Sequence, residues 1–207
     1  MTSDTLGTER SAWRDRSDIR DIIERWVIWR DTQDWDRFRT LWHDDGRMTA
    51  TWTTSHVDDF IRLAREGAAK GSSTHFLGGQ TIDLNGDRAI SQTKMTISVR
   101  GVIDGIRCDI VCTGRFYDFL EYRTGRWGLV LRRCIYEKDR CDPIDTTQTL
   151  ALDPARLALY PEGYQHLAYL QSLGGYEVNK NLPGASGPAL EELVRAGAAW
   201  LAGTGTI

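Results

Sequence analysis

Apolar side chains recur at a helical period near the start of the chain: Ile19, Ile22, Ile23, Trp26, Val27 and Trp29. That spacing predicts a helical segment from about Arg10 to Asp44, with Ser17 as N-cap and a break at Thr32-Gln33-Asp34. A second helix is predicted over Trp35–Trp42, with Trp35, Phe38, Leu41 and Trp42 on one side, before Asp44-Asp45-Gly46 turns the chain. Met48, Ala50 and Trp52 then alternate with polar residues, so Arg47–Thr53 reads as a strand. The helical period returns over Asp58–Ala69, and Lys70-Gly71 ends it.

From His75 the pattern becomes β. His75–Leu84 and Ala89–Gly101 flank Asn85-Gly86-Asp87, a strong hairpin signal because Asn-Gly tolerates positive φ. Asp104-Gly105 turns the chain into Arg107–Tyr122, and Thr124-Gly125 leads into Trp127–Glu137. Helices followed by a meander of long strands predict an α+β fold, with helices on one face of a curled antiparallel sheet. The final third reads as coil from Cys141, with a short helix capped by Asp153-Pro154, an apolar run His166–Leu173 and a helix Pro188–Leu201. Three parts follow: an N-terminal arm (1–16), the α+β body (17–138) and an extension (139–207) that wraps the body or a neighbouring subunit.

Composition narrows the function classes. A formal charge of -3 without a basic stripe argues against nucleic acid as a partner. No run reaches the ~20 apolar residues of a membrane span, and Met1-Thr-Ser-Asp-Thr has no secretory pattern, so a cytoplasmic protein is expected. The four cysteines form no CxxC; Cys108 and Cys112 share a strand face, and all four read as small core residues rather than zinc ligands. No metal or organic cofactor is expected.

Three passages carry a family signal. Trp29-Arg-Asp31-Thr-Gln-Asp-Trp35 through Leu41-Trp42-His-Asp-Asp-Gly46 resembles the helical opening of SnoaL-like proteins of the nuclear transport factor 2-like superfamily. Thr74-His75-Phe-Leu-Gly, Asn85-Gly-Asp-Arg-Ala89 and Gly125-Arg-Trp127 are similar to their strands, so the resemblance spans about Ser17 to Tyr136. It implies a cone-shaped α+β barrel, and within the superfamily it is nearest scytalone dehydratase and hexachlorocyclohexane dehydrochlorinase. Those enzymes use an Asp–His dyad. Asp31, eleven residues before Trp42, and His75, opening the strand after the third helix, hold the matching places. Arg132, five residues after Trp127, matches an arginine that steadies developing negative charge. Trp26 stands where the dehydrochlorinase type has a Lys, and the paired tyrosines of scytalone dehydratase have no counterpart.

The chemistry implied is general-base catalysis: a carboxylate orients an imidazole, which takes a proton. The expected substrate is a small hydrophobic, aromatic molecule held by Trp26, Trp29, Trp52, Phe76, Tyr117 and Tyr136, with Arg132 or Tyr136 steadying an oxygen or leaving group. The expected function is that of a lyase, a dehydratase or a C–C lyase losing formaldehyde, in a dimer or trimer. Two alternatives stay open: an isomerase or cyclase on the same scaffold, and a non-catalytic binding or assembly module. Without the resemblance, Asp31 reads as a surface carboxylate at a helix C-terminus, and His75 reads equally as a core histidine. His43 reads as surface, His56 as a helix N-terminal residue, and His166 as packing on a tail helix or capping the pocket.

Overall fold

The computed structural model describes residues 11–68 and 73–207. Helix α1 (Ala12–Asp31) buries Ile19, Ile22, Ile23, Trp26 and Val27, as the apolar period requires. It starts at Ala12, so Ser17 is internal and residues 12–16 are its first turns rather than an arm. The reason lies in Asp15: it is buried, and it accepts a hydrogen bond from Trp127 Nε1 at 2.8 Å, tying that turn to the sheet. The rest of the predicted arm, residues 1–10, lies outside the described residues.

Helix α2 (Trp35–Thr40) is capped by Asp34, whose carboxylate accepts from Arg37 N. It is shorter than predicted. Trp42 leaves it to open strand β1 (Trp42–Ala50), which pairs in parallel with the last strand of the sheet, Trp42 opposite Leu129 and Met48 opposite Arg132. Asp44-Asp45-Gly46 is accordingly no turn but the place where that register shifts. A short edge strand, β2 (Thr53–His56), folds back on β1; its Thr-Thr-Ser-His sequence has no alternation to announce it. Helix α3 (Val57–Ala68) follows, and its predicted stop at Lys70-Gly71 lies outside the described residues.

Strands β3 (Ser73–Asn85), β4 (Arg88–Ile103), β5 (Ile106–Arg123) and β6 (Arg126–Pro143) form the antiparallel meander. Gly86 takes φ 59° in the first hairpin, the conformation its Asn-Gly sequence anticipates. The sheet runs β2-β1-β6-β5-β4-β3 and is curved but unclosed. Contrary to the fully antiparallel expectation, β1 and β6 are parallel, because the chain reaches β1 from α2 and not through a hairpin.

The two sheet faces bury different things. One packs on α1, α2 and α3 through Trp26, Phe38, Trp42, Phe60 and Phe116. The other packs on α6 (Pro188–Leu201) through Tyr117, Phe119, Ile135, Leu193 and Trp200. β6 continues past the predicted end at Glu137, with Asp142 still opposite Asp109. The tail then runs through α4 (Pro154–Leu157), a 3-10 turn (Glu162–Tyr164) and α5 (Gln165–Leu173). Backbone bonds from Asn179 N to Thr51 O and from Tyr136 N to Pro183 O fasten it to the body. No described helix is long and apolar enough to cross a membrane.

Candidate functional site

α1 ends at Asp31, against the start of β3, so the helix delivers its carboxylate to His75. Asp31 Oδ2 accepts the His75 backbone N–H at 2.6 Å, and Oδ1 lies 2.7 Å from His75 Nδ1. A carboxylate only accepts, so Nδ1 carries the proton and Nε2 keeps its lone pair. The His75 side chain is only 7% exposed. Burial lowers its pKa below the ordinary 6.5, against the opposing pull of Asp31, while Arg30 and Arg132 lower it further. The imidazole is therefore neutral near physiological pH and available as a base.

Asp31 and His75 line one end of a cavity of about 760 Å³. Its wall mixes apolar and polar groups from α1, β1, α3, the strands β3, β4, β5 and β6, and the tail helix α5. Trp52 stacks on Phe60 at 5.2 Å, and Trp26 meets His75 edge-on at 5.5 Å. The Trp26 indole Nε1–H is buried without a hydrogen-bond partner, a donor left over in the wall. Tyr136 also lines the cavity, and burial raises its pKa well above 10.0, so its hydroxyl remains a donor.

Arg132 does not reach the wall. It is fully buried behind it, in a two-point pair with Asp118 at 2.6 and 2.9 Å. Its guanidinium is flanked by Phe116 at 3.9 Å and Trp26 at 4.3 Å, both wall residues.

Three of the expected aromatic contacts lie elsewhere. Phe76 is 75% exposed, because pleating turns it away from its neighbour His75. Tyr117 alternates with Phe116 in the same way and packs beneath α6, against Gly197. Trp29 lies outside the wall, its ring 5.8 Å from the Arg25 guanidinium. His43 is buried rather than on the surface, with Nε2 2.8 Å from Glu121 O. Burial lowers its pKa. His56 stands before α3, as expected, and its Nδ1 accepts from Asp58 N. Cys108 is not isolated from Cys141; the two thiols interact across β5 and β6.

The structure also brings in residues that the sequence pattern did not single out: Arg30, Gln33, Phe60, Leu170 and Tyr176. Arg30 had one available signal, its position next to Asp31 in the last turn of the helix. The tail residues had none, since an apolar run does not say where it docks.

The helices thus back an unclosed, curved six-stranded sheet, and the end of α1 meets the start of β3 at Asp31 and His75. Residues 11–133 match the SnoaL-like domain family, and the chain belongs to it. A PEP2-like protein of Fusarium vanettenii is 34% identical over 201 residues, covering 91% of this chain and 86% of that protein. A putative scytalone dehydratase from Novosphingobium aromaticivorans has a similar fold: TM-score 0.54, 14% identity, 64% of this chain and 95% of that one. The type 2 hexachlorocyclohexane dehydrochlorinase LinA gives TM-score 0.56 at 15% identity, over 69% of this chain and 95% of its own.

Proposed function

We propose that this protein is a lyase acting on a small aromatic molecule, with His75 as the general base and Asp31 as the group that orients it. The observation that carries the reading is the two-point grip of Asp31 on His75 beside an aromatic-walled cavity. In a dehydration, Nε2 would take a proton from carbon, the C–H electron pair would become the double bond, and hydroxide would leave with a proton as water. In a retro-aldol cleavage, Nε2 would take the proton of a hydroxyl, its oxygen would become the carbonyl of the departing aldehyde, and the carbon left behind would receive the pair. Formaldehyde is the product when that hydroxyl is primary.

The leaving oxygen or the developing negative charge needs a donor. Tyr136, kept protonated by burial and hydrogen-bonded to Thr51 and Cys134, is the wall hydroxyl that would supply it. Arg132 would act as a positioning residue, bracing Trp26 and Phe116 and biasing the local potential. General-base catalysis contributes about 10²–10⁴-fold, and preorganised polar groups of the cavity would supply the remainder. Scytalone dehydratase and the dehydrochlorinase, both eliminating enzymes by name, support the elimination class without fixing the bond broken.

The test is turnover of a panel of aromatic β-hydroxy ketones and aryl 1,3-diols, followed by mass spectrometry. Loss of water or formaldehyde, abolished in His75→Ala and strongly reduced in Asp31→Asn, supports the lyase. A mass-neutral product dependent on the same residues assigns an isomerase. Turnover indifferent to His75 removes the base from the scheme.

A further inference from the structure

We propose that this cavity is built for an aromatic carboxylate, whose anionic end meets Arg30. The inference deepens the lyase reading and rests on the same cavity being the substrate site. Among the described residues, Arg30 lines the cavity beside one carboxylate, Asp31. Asp31 is engaged with His75. Arg100, held by Asp109 at 2.7 and 2.8 Å, and Arg107, in register with Val102, stand on the sheet face opposite the one on which Gly101 meets α5.

Arg30 is the guanidinium that an anion would meet inside. Its side chain is largely buried, and burial lowers its pKa, so the charge is held there at a cost. Among the described residues no carboxylate stands within ion-pair reach of it. Its guanidinium has a hydrogen bond to Ser73 Oγ at 3.3 Å and lies 5.6 Å from the Trp35 ring. A guanidinium with donors to spare in a partly desolvated wall suits the two oxygens of a carboxylate. The aromatic body would then lie along Trp52 and Phe60, in reach of the dyad.

Leu170 seats directly on Gly101, where an added Cβ would lie 2.7 Å from its methyl carbons. That contact seats α5 on the face of β4 from which Ile97 and Val99 also line the wall.

The test compares 2-naphthoate with its neutral near-isostere 2-naphthamide by quenching of tryptophan fluorescence, since Trp26 and Trp52 line the cavity. The full-length protein is expected to bind the carboxylate at least about tenfold more tightly than the amide, an advantage that shrinks as salt is raised. Arg30→Gln is expected to abolish the preference, with thermal unfolding confirming that the variant is folded. Equal affinities, tighter binding of the amide, or a preference surviving in folded Arg30→Gln would overturn the inference. Each of those results leaves proton abstraction by His75 intact, because that rests on turnover. Failure of both naphthalenes to bind would overturn the inference as well.

Discussion

Asp139 holds His166 by the same two-point grip that Asp31 places on His75. Asp139 Oδ1 lies 2.8 Å from His166 Nδ1, and Oδ2 accepts the His166 N–H at 2.7 Å and the Leu167 N–H at 2.8 Å. The second pair does not line the cavity. It sits at the N-terminus of α5, where a fully buried carboxylate satisfies amides that the helix leaves open. One pair lines the cavity; the other clamps the helix that supplies part of its wall.

Asp139→Ala is therefore expected to loosen α5. Losing hydrogen bonds to a buried charged acceptor costs about 2–3 kcal/mol, read as a lower urea midpoint. Hydrogen–deuterium exchange is expected to rise in Gln165–Leu173 more than in β5. Uniform exchange across both elements would assign Asp139 to global stability alone.

Arg132 and Asp118 are both fully buried, so they behave as a unit. Removing one partner leaves an unpaired charge in the core, and Arg132→Leu is expected to cost roughly 3–5 kcal/mol. The double variant Arg132→Leu/Asp118→Leu is expected to lose clearly less in the same chemical denaturation. An additive loss would mean that the pair contributes little to the core.

The pH dependence follows from His75. Its folded pKa is lowered by burial, so between that value and 6.5 the unfolded chain binds more protons than the folded one. Stability is expected to fall as pH drops through 6.5 and to level off below the folded pKa, and buried His43 adds in the same direction. Turnover is expected to keep an acid limb below 6.5. Thermal unfolding across pH of wild type, His75→Gln and His43→Gln measures each share.

Phe76 makes a clean contrast with its neighbour. Its exposed ring takes no part in the wall, so Phe76→Ser is expected to change stability by no more than about 0.5 kcal/mol and to leave turnover unaltered. Trp52→Ala, which removes a ring stacked on Phe60 inside the cavity, is expected to weaken ligand binding several-fold.

The meander and the long helices were legible because their periods are long and their turns carry Asn-Gly, Asp-Gly and Thr-Gly. Pleating also explains what was misplaced. Knowing that β3 and β5 exist does not say which parity faces the helices, and Phe76 and Tyr117 fell on the far side. Trp42 read as helix because its spacing from Phe38 suits one, while the parallel partner that draws it into β1 lies far along the chain at Leu129. The Asp31–His75 pairing came from family resemblance; neither residue announces it alone. Arg30 and the α5 wall depend on tertiary docking, which leaves no local trace.

The most direct measurement is the tautomer of His75, read from ¹⁵N shifts in histidine-labelled protein, where only four histidines must be assigned. At about pH 7, His75 is expected to be neutral, protonated on Nδ1 and bare on Nε2, with that preference lost in Asp31→Ala. A His75 that is an imidazolium at that pH, or that carries its proton on Nε2 in the wild type, would contradict its role as a base facing the cavity.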